Sequence, residues 1–199
     1  HRDLYQFSPS PGGAWKNTAN DIVDVLPDGT HRLRFSPVAP HVVDTAMNEL
    51  VTGFHALVSG GQVDSLIAVP AFVLDFLCIH PFSDGNGRMS RILNLMLLYQ
   101  TGYDVGRYIS LEKVIEDSKE TYYEALEASS DGWHEGRHDL VPWLQYSHGV
   151  LIAAYVEFEQ RVGQINTRRP VARHQLPRGF TGPEPLQIEE QKRQITGDV

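Results

Sequence analysis

The chain has 199 residues, a formal net charge of −8, 41% hydrophobic residues and 21% charged ones. That composition is ordinary for a globular protein and excludes collagen and wholesale disorder. A chain of this length buries roughly 70% of the surface its unfolded form exposes, so it needs no disulfide or metal staple. The acidic balance argues against a general nucleic-acid binder, although a phosphate pocket needs only a few cations. No apolar run approaches the roughly 18 residues of a membrane span.

Residues 1 to 20 read as a helix end and then a loop, broken at Pro11-Gly12-Gly13. Ile22 to Leu26 and Arg32 to Phe35 flank Asp28-Gly29, the signal of a β-hairpin over about residues 21–36. The alternation of Arg32, Leu33, Arg34 and Phe35 predicts one wet and one packed face. From Val42 to Phe54 the apolar spacing turns helical, and Gly60-Gly61 closes that helix. Leu66 to Ile79 reads as a central buried helix that Pro70 either starts or kinks. Further helices are expected over residues 88–101, ending at Gly102, over Ser110 to Ser130 and over Leu140 to Gln164. Met89, Met96 and the leucines between 93 and 98 read as a core stripe, and Trp133 and Trp143 as packing anchors. The expected fold is mostly α, a compact helical domain over residues 1–165 with a small β-hairpin. A Pro- and Arg-rich tail or linker follows over residues 166–199.

Cys78 is the one cysteine and lies in an apolar run, so it is expected to be a buried thiol in a reducing compartment. With no secretory signal at the start, the expected location is cytoplasmic. A first residue of His1 rather than Met is read as the start of a fragment.

The chemistry concentrates in His80-Pro81-Phe82-Ser83-Asp84-Gly85-Asn86-Gly87-Arg88-Met89-Ser90-Arg91. Pro81 disfavours helix at His80, and a glycine-rich loop then feeds the next helix near Gly87 or Arg88. Such a loop points several backbone N–H groups into one space, which is an anion site by geometry. Arg88 and Arg91 share one helix face and are expected in the first turn, where the macrodipole disfavours cations unless an anion offsets them. A polyphosphate fits that need, because the guanidinium fork matches phosphate oxygens. Asp84 is the loop's only carboxylate. It suits Mg²⁺ held jointly with substrate phosphates, and equally suits a turn. His80 has the ordinary pKa of a general base near neutrality.

This run resembles the signature of the Fic family, H-P-F-x-x-G-N-G-R-x-x-R, at every fixed position. The likeness extends over about residues 1–160, with the hairpin resembling the family's flap and Tyr122 to Leu126 resembling its nucleotide-side helix. The resemblance implies a compact α-helical domain that moves AMP from ATP to a hydroxyl side chain of a target protein, with Mg²⁺. It implies His80 as the base and Asp84 as the metal ligand. Gly85, Asn86 and Gly87 would hold the phosphates by their backbone, with the Asn86 side chain assisting. Arg88 would bind the triphosphate, Arg91 would orient its γ-phosphate, and Tyr122 and Tyr123 would lie near ribose and adenine. The hairpin would clamp the target segment by strand addition. The related Doc branch carries Lys in place of the second glycine and phosphorylates its target, so Gly87 favours AMP transfer.

Many relatives carry an inhibitory helix with a Ser/Thr-x-x-x-Glu-Gly/Asn pattern. Here the one Glu-Gly, Glu135-Gly136, has Asp131 in the Ser/Thr position. The inhibitor is then upstream, contributed by a partner chain, or absent, and an oligomer stays open. Alternatives within the family are a different phosphate-containing donor or AMP removal. Outside it they are an ATP-binding module without turnover and a zinc hydrolase. The last rests on His134-Glu135-Gly136-Arg137-His138, an H-E-x-x-H pattern that requires a helix to bring both histidines to one face, with His148 or Glu157 as a conceivable third ligand.

Overall fold

The computed structural model describes residues 1–9, 12–26, 28–61 and 63–168, with backbone only for 164–168. Residues His1–Gly163 form one unit. The expected tail lies outside the described residues beyond Arg168.

The N-terminal segment is a series of turns rather than a helix end: Tyr5 N–H reaches the carbonyls of His1 and Arg2, and Ser8 N–H that of Tyr5. Strands β1 (Ile22–Val25) and β2 (His31–Phe35) pair antiparallel, with Val23 opposite Leu33 and a bulge between Ile22 and Val23. Asp28 closes their turn by accepting from the Thr30 N–H at 2.9 Å and its hydroxyl at 2.6 Å. Gly29 takes a φ of 80° there, the left-handed geometry such a turn requires. The packed face expected for the hairpin holds at Phe35 and fails at Leu33. Val25 and Leu33 are 67% and 58% exposed, whereas the Arg34 side chain is only 16% exposed. Only Phe35 at the end of β2 reaches the core, packing on Trp133 and stacking on His134, while Val25 and Leu33 nearer the turn find no layer to cover them. Arg34 instead turns inward onto Asp24 and the ring of Tyr123.

Helix α1 (Val43–Ser59) ends at Gly60, and helix α2 (Ser65–Ile79) packs between it and α3 (Asn86–Gln100). Ten of the 15 residues of α2 are buried, Cys78 among them, as its near-continuous apolar run predicts. The Asp64 carboxylate caps it through the Leu66 N–H at 2.8 Å. Pro70 lies inside α2 and does not start it. Its missing N–H leaves the Leu66 carbonyl unbonded within the helix, and His148 donates its Nε2–H there at 2.8 Å. Trp143, 3% exposed, donates its indole N–H to the Pro70 carbonyl at 2.9 Å.

The single helix expected over Ser110 to Ser130 is two, α4 (Leu111–Asp117) and α5 (Lys119–Ser130). Ser118 breaks it: its hydroxyl bonds back to the Val114 carbonyl at 2.7 Å, competing with the backbone ladder. Helix α6 (Val141–Arg168) follows. The core joins α2, α3, α5 and α6 through Phe72, Leu74, Leu98, Ala125, Trp143 and Leu151. Met96 is exposed and lies outside the expected stripe. No helix among the described residues is long and apolar enough to cross a membrane.

Candidate active site

The loop between α2 and α3 is held from several sides. His80, the helix cap, takes φ 51° and ψ 59°, the one non-glycine left-handed residue among those described. That conformation costs on the order of 1–2 kcal/mol, and neighbouring bonds hold it in place. The His80 N–H donates to the Phe76 carbonyl at 2.9 Å. Asn20 donates its amide to the carbonyls of His80 at 3.4 Å and Phe82 at 2.8 Å. Lys16, 3% exposed, donates its backbone N–H to the Pro81 carbonyl at 2.8 Å and its ammonium to the Ile79 carbonyl at 3.3 Å.

The His80 ring nitrogen Nδ1 lies 3.1 Å from the Leu77 carbonyl. A carbonyl only accepts, so Nδ1 carries the proton. In the neutral ring Nε2 then holds a free lone pair. Burial pushes the His80 pKa below its ordinary value, with the Lys16 charge adding to that and the Leu77 bond opposing it. The geometry suits an imidazole that accepts a proton through Nε2.

His80, Gly87, Arg91, Arg34, Tyr123 and Leu126 line one cavity of about 290 Å³. Arg91 donates Nε–H to Glu112 at 3.0 Å, an exposed ion pair at a neighbouring cavity of about 460 Å³ that also borders Tyr122 and Tyr123. Helix α3 begins at Asn86, so Arg88 is in its first turn but Arg91 is in its second, not the first-turn pair expected. The two tyrosines differ in setting. Tyr123 is exposed at its ring, which meets the Arg34 guanidinium at 5.3 Å. Tyr122 is buried edge-on against Trp143 and Tyr146, and burial pushes its hydroxyl up to about 12. It contributes a wall, whereas Tyr123 offers a ring face.

Asp84 and Arg88 form a second cluster on the same loop. The Asp84 Oδ1 accepts from the Gly85 N–H at 2.6 Å, and Oδ2 accepts from the Tyr5 hydroxyl at 2.6 Å and from Arg88 Nη2 at 3.2 Å. The Tyr5 bond, then the Gly85 bond and the Arg88 charge, hold the Asp84 pKa below its ordinary value. No group of three or more His, Cys, Asp or Glu that would hold a metal exists among the described residues. A lone ionised carboxylate still fits an ion such as Mg²⁺, which takes most of its oxygens from water and phosphates. Asn86 departs from the expected phosphate contact: it is 2% exposed, accepts from the Phe82 N–H at 2.9 Å and donates to the Phe82 carbonyl at 2.7 Å. Its side chain shapes the loop.

The H-E-x-x-H stretch is not helical. Trp133–Glu135 is a 3₁₀ turn that stops at Gly136, with φ 64°. His134 donates to the Ser36 carbonyl at 2.7 Å, His148 is bonded under Pro70, and Glu157 pairs with Arg161. A zinc centre through His134 and His138 is therefore set aside.

Tyr5, Lys16, Asn20, Arg34 and Glu112 complete the site although nothing in the motif points to them. The hydrogen bonds of Tyr5, Lys16, Asn20 and Glu112 to this segment cross from 21 to 83 residues of chain.

The site is thus an imidazole, a carboxylate and two arginines gathered on a helix–loop–helix within a helical domain. Comparison with known proteins agrees with that class. The Fic/DOC family profile matches residues 1–98. A Fido domain-containing protein of Dictyostelium discoideum is 30% identical over 117 residues, covering 57% of this chain and 77% of that one. A Fic family protein from Desulfovibrio desulfuricans G20 superposes with a TM-score of 0.62 at 23% identity, over 81% of this chain and 45% of that one. A Fic domain containing signaling protein from Bacteroides thetaiotaomicron VPI-5482 gives 0.57 at 22% identity, over 71% and 52%. The chain spans about half the length of those two proteins, and the likeness to them is one of fold. The chain belongs to the Fic/DOC family.

Proposed function

We propose that this chain is a protein AMP transferase, moving AMP from ATP to a hydroxyl side chain of a target protein. The carrying observation is that His80, with its Nε2 lone pair free, shares one cavity with Gly87 and Arg91. A Cβ at Gly87 would meet only the Arg91 guanidinium, at an ordinary 3.7 Å. Nothing in the protein's own packing demands glycine there, and the space it leaves suits a ligand pressed against the backbone.

In this reading His80 Nε2 takes the proton of the target hydroxyl as its oxygen attacks the α-phosphorus. The bond from that phosphorus to the bridging oxygen of pyrophosphate breaks, and pyrophosphate leaves with its charge against Arg88 and Arg91. The Gly85–Gly87 backbone and the start of α3 supply fixed dipoles toward the phosphates, so positioning and electrostatics provide most of the rate. Asp84 would hold Mg²⁺, which supplies charge neutralisation of the polyphosphate. The outward hairpin, with Leu33 and Val25 uncovered, would receive the target segment.

The test is incubation with Mg²⁺ and cell lysate, with ATP labelled at the α- or the γ-phosphate. Label on protein from α-labelled ATP alone supports AMP transfer. Label from the γ position would instead mean phosphorylation, and saturable ATP binding with no transfer in any lysate would mean a binding module. Arg91 also yields a prediction. Glu112 must release Arg91 before a phosphate can take its Nε–H, so Glu112→Gln should tighten ATP binding about two- to fivefold in calorimetry. Loss of this exposed ion pair should leave thermal stability within about 0.5 kcal/mol.

A further inference from the structure

We infer that Tyr5 is a positioning residue for the anion loop, its hydroxyl locking the Asp84 carboxylate and the Arg88 guanidinium into one arrangement for a phosphate-bearing ligand. The inference rests on the AMP-transfer reading only in taking the loop as a phosphate site.

The hydrogen-bond directions are fixed by chemistry. Arg88 can only donate, so Nη2 gives a proton to Tyr5 Oη at 2.6 Å. The single hydroxyl proton of Tyr5 then goes to Asp84 Oδ2 at 2.6 Å, which also receives Nη2 at 3.2 Å. The guanidinium carbon sits 5.0 Å from the centre of the Tyr5 ring, adding a cation–π contact. Of the roughly four lone-pair sites of a carboxylate, the two on Oδ2 and one on Oδ1 are filled, which leaves a single open site on Oδ1. The Nε and Nη1 groups of Arg88 have no partner among the described residues.

Burial assigns the anchoring to Tyr5. The Asp84 and Arg88 side chains are 75% and 48% exposed, and an exposed i,i+4 pair orders itself by only about 0.3–0.5 kcal/mol. Tyr5 is 5% exposed, stacked on His1 at 4.6 Å between ring centres. Two glycines make its slot. A Cβ at Gly12 would come within 2.6 Å of the Tyr5 Cβ, and one at Gly85 within 2.7 Å of its hydroxyl. Phenylalanine would fill the same slot, so what tyrosine adds is the hydroxyl.

The probe is inorganic tripolyphosphate with Mg²⁺, titrated calorimetrically into the full chain as wild type, Tyr5→Phe, Arg88→Ala and the double variant. Tyr5→Phe should weaken binding about tenfold in the wild-type background and less than about twofold when Arg88 is already gone. Melting curves within a few degrees of wild type should accompany this. Undiminished binding by Tyr5→Phe, or an equal loss in both backgrounds, would overturn the inference while leaving the phosphate site standing. Wild-type protein that fails to bind tripolyphosphate would remove the phosphate site itself, and the inference with it.

Discussion

His80→Ala should lower label transfer from α-labelled ATP by about 10²–10⁴-fold, the range of a positioned general base, while ATP binding changes less than about threefold. The separation follows from geometry. His80 offers the cavity one lone pair, whereas the groups proposed to bind phosphate are the loop amides and two arginines on α3. The pH profile carries the same assignment. Burial, and secondarily Lys16, push the His80 pKa down, so the ring is already neutral near neutrality. Transfer should rise with pH through that lowered pKa and stay flat above it. Lys16→Met removes a positive charge that disfavours protonation, so the acid limb should move to higher pH. That shift will be small, because burial is the larger cause. The stability consequence has the same sign. A group whose folded pKa lies below its unfolded value favours the native state at neutral pH, and that contribution is lost as pH falls through the folded pKa. An acid limb unchanged in both His80→Ala and Lys16→Met would sink the assignment of His80 as base.

What could be read from the sequence, and what could not, divides by the range of the interactions. Helix α1 announces itself by apolar residues at helical spacing closed by Gly60, and α2 by its near-continuous apolar run, both patterns local in sequence. The motif loop was legible for the same reason. His80, Asp84, Arg88 and Arg91 lie within 12 consecutive residues, so local backbone rules suffice to gather them. The break at Ser118 was hidden, since a serine bonding back to its own helix leaves the apolar pattern intact. The inward turn of Arg34 was hidden because period-2 alternation assumes one continuous covering layer, whereas here Phe35 packs on Trp133, Leu33 stays exposed and Arg34 is covered by Tyr123 from a distant helix. Pro70 shows how distant sequence settles a local conflict: the carbonyl it leaves unbonded is satisfied by His148 from another helix. Lys16, Asn20 and Tyr5 likewise act on the loop across the fold. No pattern within the N-terminal segment encodes those partners.

Asn86→Ala should cost about 2–4 kcal/mol of folding stability in urea unfolding and weaken phosphate binding more than either arginine variant. The two bonds it removes are not equivalent. The Phe82 carbonyl keeps a second donor in Asn20 at 2.8 Å, but among the described residues the Phe82 N–H has only Asn86 Oδ1, at 2.9 Å. The alanine variant therefore leaves one buried donor unpaired, and restoring it would require the loop to open to water. Opening would move the Gly85 and Gly87 amides out of register, so ligand affinity should fall with stability rather than independently of it. Asn86→Asp separates the parts. Aspartate can still accept from Phe82 N–H, but at neutral pH it places a buried charge facing the Phe82 carbonyl oxygen, where Asn86 supplies an N–H at 2.7 Å. Its stability should be lower than that of wild type near pH 7 and recover as pH falls and the carboxyl protonates, regaining a donor for the carbonyl. Equal stability of Asn86→Asp at both ends of that range would show that the loop is not held by Asn86 in the way its two bonds require.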